Sequence, residues 1–283
     1  MTTVHATLGR VAERLGAAGC ATPRVEAELL LGHVLGTTRA ELHGASAREL
    51  GEDDERLLEI LVSRRERREP LPYVLGEWGF RRLSLRVDPR VLVPRPETEI
   101  VVERCLAVVR DCARPRVLDV GTGSGAIALA LADEHRGARI TAVDASEDAL
   151  KVARENAARL ELDVAFERHD LFEGLPAGPW DLVVSNPPYV DPTEIDSLEP
   201  EVRDWEPRAA LVGEGATEAV ARGALAVLLE GAALVLETAD GAARDVSSLL
   251  RRLGYEQVAV TKDLTGRDRV VDGVRASRRE SIS

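Results

Sequence analysis

Little in this 283-residue sequence offers a covalent staple or a metal site. The three cysteines, Cys20, Cys105 and Cys112, include no CxxC, and the five histidines are scattered. Ligands so far apart in sequence assemble neither a disulfide framework nor a zinc site, so no metal is expected. Cys105 and Cys112, seven apart on a helical pattern, are expected as buried thiols. Long apolar runs are missing too. The longest, Ala126 to Ala132, falls far short of the roughly 20 residues that a membrane-crossing helix needs. The N-terminus carries Arg10, Glu13 and Arg14 where a signal peptide would need its apolar stretch. The expected location is therefore the cytoplasm.

Positive charge is in the minority. The 37 Lys and Arg face 49 Asp and Glu, a formal net charge of −12, which argues against holding nucleic acid through its phosphates. The one basic cluster is Arg64, Arg65, Arg67 and Arg68. It ends a helical pattern that opens with Glu52, Asp53, Asp54 and Glu55, and acids first with bases last matches the helix dipole. Aromatic residues are only 3% of the chain, so their placement is informative. Phe172, Trp180, Tyr189 and Trp205 are expected to flank the site developed below. Tyr73, Trp78 and Phe80 fall close together, where packing between domains and a substrate channel both fit.

What is present is a globular composition, 45% hydrophobic and 30% charged, with length for one large or two modest domains. Residues 1–69 read as a small helical bundle. Val25, Leu29, Leu30, His33 and Val34 recur at helical spacing, as do Leu57, Leu58, Leu61 and Val62, and Thr22-Pro23 with Glu26 is a helix-start signal. Residues 70–96 read as a linker with a short β-hairpin around Phe80, Leu83, Leu85 and Val87. From Arg116 onward, strand candidates alternate with helical patterns: Arg116–Val120, Arg139–Val143, Asp163–His169, Asp181–Ser185 and Ala232–Glu237. That alternation implies an α/β domain over residues 97–276, with a parallel sheet covered on both faces. Gln257–Thr261 and Arg269–Val274 are separated only by a polar loop containing Gly266 and suit an antiparallel edge. Residues 277–283 are expected to be a flexible tail.

Three local patterns carry chemistry. Asp119-Val-Gly121-Thr122-Gly123-Ser124-Gly125 follows an apolar strand and opens a helix. The DxGxGxG form, with Ala at 126 where a dinucleotide fingerprint wants glycine, suits a nucleoside cofactor without a pyrophosphate. Asp144 ends the next strand, where an acid can accept hydrogen bonds from ribose hydroxyls. Asp170 ends the third strand and is placed to meet an adenine amino group. Asn186-Pro187-Pro188-Tyr189 follows the fourth strand. Its prolines stiffen the loop and remove two donors, leaving carbonyl acceptors beside an amide and a ring, a pocket for a planar NH₂ group.

Together these motifs resemble the class I methyltransferases that use S-adenosylmethionine and act on an exocyclic or amide nitrogen. Two further stretches, Pro72 to Phe80 and Val91 to Glu99 with its PRPETE run, resemble the HemK/PrmC family of release factor glutamine methyltransferases. The resemblance extends from the helical N-terminus to about Gly273. It implies a Rossmann-like, mostly parallel seven-stranded sheet with an antiparallel edge. It also implies that Asp119, Gly121 to Gly125, Asp144, Asp170, Leu171 and Asn186 contact the cofactor. Asn186, Pro187, Pro188 and Tyr189 would hold the glutamine, with Arg95 among the substrate contacts, and Asn186, Pro187 and Tyr189 would act in transfer. The bundle would dock a release factor, whose Gly-Gly-Gln loop enters the pocket. The sequence departs from the family pattern at Arg82 in place of a glycine, at Gly215-Ala216-Thr217, which lacks an acid, and at Thr238-Ala239 in place of Ile-Gly.

An amide nitrogen is a poor nucleophile, so positioning is expected to do most of the work, with acceptors favouring the charge that develops on nitrogen. No strong base is needed beforehand, and His169 is expected to pack or face solvent. The alternatives are a nucleic-acid methyltransferase acting on adenine N6 or guanine N2, which should carry a basic face, and a cofactor-binding regulator with an inactive loop.

Overall fold

The computed structural model describes residues 3–277, so the expected tail lies outside the described residues except for its first position. The chain divides into two compact units, Met1–Glu77 with Leu198–Trp205, and Trp78–Ser197 with Glu206–Ser283. Among the described residues, no helix is long and apolar enough to cross a membrane.

The first unit is helical. Its opening helix, Val4–Ala17, is capped by Thr3, whose hydroxyl accepts from the Ala6 N–H, and it buries Val4, Leu8, Val11 and Leu15 on one face. Pro23–Leu35 begins where the sequence signal places it. The Thr22 hydroxyl donates to the Glu26 carboxylate at 3.3 Å and caps no backbone amide. Glu52–Glu66 has four acids in its first turn and Arg64 and Arg65 in its last. The dipole reading is only part of the story for the basic cluster. Arg65, 4% exposed, pairs with Glu26 at 2.6 Å and with Glu201 at 2.7 Å. Arg68 also pairs with Glu201, and Arg64 with Glu69. Three of the four arginines are therefore committed to carboxylates inside this unit. Arg65→Ala would strand Glu26, itself 6% exposed, without a cation. We expect a loss of roughly 3–5 kcal/mol, seen as a lower denaturation midpoint for the helical unit; an unchanged midpoint would show that the pair contributes no net stability.

From Trp78 onward the second unit carries the hairpin of β1 (Glu77–Phe80) and β2 (Leu83–Arg86). Its turn places Arg81 at φ 51°, in the left-handed region, and the Glu99 carboxylate accepts from the Arg81 N–H while Glu134 pairs with its guanidinium. The family departure at Arg82 thus sits beside a turn held by ion pairing. Seven strands follow: β3 (Arg116–Val120), β4 (Arg139–Asp144), β5 (Ala165–Arg168), β6 (Trp180–Ser185), β7 (Leu228–Glu237), β8 (Tyr255–Lys262) and β9 (Asp268–Arg275). Their order is β5-β4-β3-β6-β7-β9-β8, parallel except at β9 and β8.

The strand period of two builds both faces of this sheet. Val117, Leu182 and Val184 pack with the helices Glu99–Val109 and Ala126–Glu134, whereas Leu118, Val120 and Val183 pack with Ala216–Val227 and Ala243–Leu253. Strand β7 begins four residues before the expected Ala232, because Leu228 pairs with Trp180 and the ladder then shifts register before Leu182 meets Ala233. Strand β5 is shorter than Asp163–His169, since Asp170 starts a one-turn helix over Leu171–Glu173 by accepting from the Phe172 N–H. Cys105 is buried as expected, but Cys112 lies past the helix end at Val109 and is half-exposed. Phe80 is buried in the sheet's core and Tyr73 within the helical unit, which assigns both to packing.

Candidate functional site

Strand β3 lies between β4 and β6, and the chain's successive crossovers run in opposite directions from it. The carboxyl ends of these strands form the switch point where open α/β sheets bind ligands. A cavity of about 380 Å³ opens there, within the usual range for small-molecule sites.

One wall is the loop after β3. Gly121 and Thr122 donate their N–H groups to the Val143 carbonyl, fastening the loop to the neighbouring strand. Gly123 has φ +55°, and a Cβ there would meet nothing within 4 Å. The position is left-handed with open space above it, so the backbone is bare to whatever occupies the cavity. The Gly123 N–H donates to Asp144 Oδ2 at 2.9 Å, and Ser146 N–H donates to Oδ1 at 2.9 Å. Each oxygen of Asp144 keeps a further lone pair. Burial raises the Asp144 pKa, and these backbone donors oppose the rise.

Gly121, Thr122, Gly123, Ser124, Asp144, Asp170 and Leu171 all line this cavity; Asp119 and Gly125 do not. Asp119 is fully buried behind the loop, where its Oδ2 accepts from the Thr122 hydroxyl at 2.7 Å and its Oδ1 has no partner. Burial pushes its pKa up to about 7. A carboxyl raised in the folded state takes up a proton that the unfolded chain has released, so its contribution falls as pH rises from about 4 to 7. Asp119→Asn should therefore gain stability relative to the unsubstituted chain by roughly 1 kcal/mol per pH unit across that window. Thermal unfolding of the two proteins at several pH values checks this, and a constant difference would contradict it.

The opposite wall begins at β6. Ser185 donates its hydroxyl to the Val120 carbonyl at 2.7 Å, locking the ends of β6 and β3 together. Asn186 follows at once, and its Nδ2 donates to Thr98 Oγ1 at 3.4 Å. That contact sets the amide so that Oδ1 is the atom left for a ligand. Asn186 and Pro188 line the cavity, while Pro187 and Tyr189 are absent from its lining, the one-in-two pattern of an extended run. Tyr189 is 39% exposed and stands beside Glu237. Pro188 is held from the other side by Gly213, where a Cβ would come within 2.4 Å of Pro188 Cγ. Val190 N–H donates to the Leu211 carbonyl, tying the loop to residues 207–213, several of which line the cavity. Arg95 lines it as well and pairs with the buried Glu206 at 2.6 Å.

Among the aromatics, Phe172 stands at the cavity edge, 60% exposed. Trp180 does not flank the site. It starts β6, at the strand's opposite end, and donates its Nε1–H to the Pro176 carbonyl. Trp205 belongs to the helical unit. His169 lines the cavity with its Nε2 bonded to the Gly174 carbonyl. Among the described residues, no group of His, Cys, Asp and Glu is arranged to hold a metal.

Sequence reasoning gave no role to Thr98, Glu206, Gly213 or Glu237. Thr98 lay in view inside PRPETE, and Glu237 as a lone acid closing a buried strand; Glu206 and Gly213 carried no local signal.

Residues 98–204 match the family model described as a methyltransferase small domain, and residues 7–76 match the PrmC N-terminal domain. The release factor glutamine methyltransferase of Deinococcus radiodurans is 43% identical over 275 residues, covering 95% of this chain and 97% of that protein. The enzyme of the same description from Caulobacter vibrioides is 41% identical over 269 residues, covering 93% of each. Among solved structures, a methyltransferase from Pyrococcus furiosus aligns with a TM-score of 0.50 at 19% identity, over 68% of this chain and 89% of that one. At that identity the match speaks to the fold alone.

Proposed function

The chain belongs to the release factor glutamine methyltransferase family, and from that premise we propose that its cavity methylates the side-chain amide nitrogen of a release factor's Gly-Gly-Gln glutamine, with S-adenosylmethionine as donor. The observation that carries this reading is that the glycine loop, Asp144 and Asn186 face a single cavity.

The wall at Gly123 and Asp144 fits a nucleoside cofactor. It offers bare backbone, a carboxylate with free lone pairs for two hydroxyls, and Asp170, Leu171 and Phe172 at the far edge for a base. S-Adenosylmethionine, when bound, supplies an electrophilic methyl group on sulfur. The remaining chemistry falls to the chain. Asn186 Oδ1, the amide acceptor that faces the cavity, accepts one N–H of the glutamine amide. That acceptor favours the positive charge that grows on nitrogen as the new C–N bond forms and the sulfur–methyl bond breaks. Holding the amide in line replaces a chance encounter with a fixed one, the larger part of the barrier for so weak a nucleophile. The nitrogen gains a methyl group and gives up one proton to water, so no strong base is needed.

The helical unit docks the release factor, in keeping with its match to the PrmC N-terminal domain. Direct nucleic-acid binding is not part of this reading, because Arg64, Arg65 and Arg68 are spent on Glu69, Glu26 and Glu201. The cytoplasm, where translation ends, is the matching location.

Labelled methyl transfer to a purified release factor tests this, alongside a factor whose Gly-Gly-Gln glutamine is replaced by alanine and a DNA duplex. Label is expected only in the unsubstituted factor. Equal label in both factors, or label in the DNA, would overturn the reading.

A further inference from the structure

Behind the cradle lies a buried acid that the mechanism above does not use. Glu237 ends β7, is 1% exposed, and has one carboxylate oxygen, Oε2, buried without a hydrogen-bond partner. An orphaned carboxylate oxygen is costly and calls for a reason. Two hydroxyls stand against this carboxyl, those of Thr98 and Tyr189. Thr98 is itself 5% exposed and receives the Asn186 Nδ2 donor at 3.4 Å. A hydroxyl has one proton to place. With Asn186 occupying an Oγ1 lone pair, that proton is left to turn toward the neighbouring carboxyl, Glu237. Tyr189, at the other end of the same tetrapeptide, meets the same group.

We propose that Glu237 is a positioning residue for methyl transfer, orienting Asn186 through the Thr98 hydroxyl and anchoring Tyr189, so that Asn186 Oδ1 faces the cavity. The inference rests on the methyl-transfer reading of that cavity. It assigns Tyr189 to holding the loop from behind, in agreement with its absence from the cavity lining. It also explains why a strand end buried this deeply carries an acid at all.

The chain of bonds needs Glu237 as an acceptor, which makes it sensitive to pH. Burial pushes the Glu237 pKa up to about 7, with Thr98, Arg269 and Tyr189 opposing the rise and Glu97 adding to it. Arg269 is shared with Asp263 at 3.3 Å, so its charge is partly committed elsewhere. Protonation below that pH turns one of the two acceptor oxygens into a donor and loosens Asn186. Transfer should therefore rise with pH through about 7.

The chain contains only two asparagines, Asn156 and Asn186. Asn156 is pinned on three sides, by the Arg86 N–H and by the Arg86 and Ser124 carbonyls, and makes an internal reference. The test uses the full chain with ¹⁵N-labelled asparagine, comparing the unsubstituted protein with Glu237→Gln and Thr98→Val. The Asn186 side-chain NH₂ signals should titrate near pH 7 while those of Asn156 stay still. Glu237→Gln should abolish that titration, and Thr98→Val should shift the Asn186 signals at every pH. In methyl transfer, the glutamine variant carries an acceptor and a donor, as the protonated carboxyl does, so its kcat should stay near the low-pH value of the unsubstituted enzyme at every pH and lose the limb near 7. Thr98→Val should lose roughly tenfold in kcat, with KM for the release factor little changed.

Asn186 signals that ignore pH in the unsubstituted protein, or that titrate unchanged in Glu237→Gln, would overturn the proposal. So would a Thr98→Val enzyme with full kcat. The spectra need no turnover, so failure of this proposal is distinguishable from failure of the functional reading, which would appear as absent transfer by the unsubstituted enzyme.

Discussion

Asn186→Ala is expected to cut methyl transfer by at least about 100-fold while leaving cofactor affinity nearly unchanged. The side chain supplies the one side-chain carbonyl in the tetrapeptide that faces the cavity, and it is held there by its bond to Thr98. Removing it deletes an acceptor aimed at charge that grows only in the transition state. Single preorganised polar groups of this kind are typically worth 10²–10³ in rate. The loss should appear in kcat more than in KM, because the cavity walls still hold the amide even when it is badly aimed. Single-turnover transfer together with calorimetric titration of the cofactor separates the two quantities. Transfer within threefold of the unsubstituted enzyme would remove Asn186 from the reaction.

Asp144→Asn is expected to act on the other half of the cavity, weakening cofactor binding by roughly 100-fold or more. Each charge-assisted bond to a ribose hydroxyl is worth about 1.5–3 kcal/mol, and about 1.4 kcal/mol corresponds to tenfold. The substitution also turns one acceptor into a donor. Because Gly123 N–H and Ser146 N–H both point at this carboxylate, the new NH₂ group must oppose one of them, and the loop is expected to shift. Calorimetric titration with the cofactor reads the effect directly. An affinity within a few-fold of the original would mean that Asp144 serves only to hold the loop.

The parts of this arrangement that could be read from the sequence are those in which neighbouring residues carry the information. The strand-helix alternation from Arg116 onward set the sheet, and the spacing from Gly121 to Gly125 set a turn that packs against β4. The placement of Asp144 and Asn186 at strand ends is local too, since both follow apolar runs of the sheet core. What the sequence hid depends on contacts between distant segments. Arg95 and Glu206 are 111 residues apart, and Gly213 meets Pro188 only because the chain returns to the cavity after a stretch within the helical unit. Which members of the tetrapeptide face inward also depends on backbone direction, which places Asn186 and Pro188 at the cavity but Pro187 and Tyr189 elsewhere. Trp180 shows the opposite hazard. Scarce aromatics near a motif invited a role at the site, yet a strand carries its first and last residues to opposite edges of the sheet, and Trp180 is at the wrong edge.

The most direct test is a crystal structure of the enzyme with S-adenosylhomocysteine and a release factor bound together. The glutamine side chain is expected to enter the cavity between Asn186 and the glycine loop. Its amide nitrogen should lie roughly 3–4 Å from where the sulfur's methyl would stand, with one N–H on Asn186 Oδ1. A glutamine docked outside this cavity, or separated from the sulfur by the loop that holds Asn186, would contradict it.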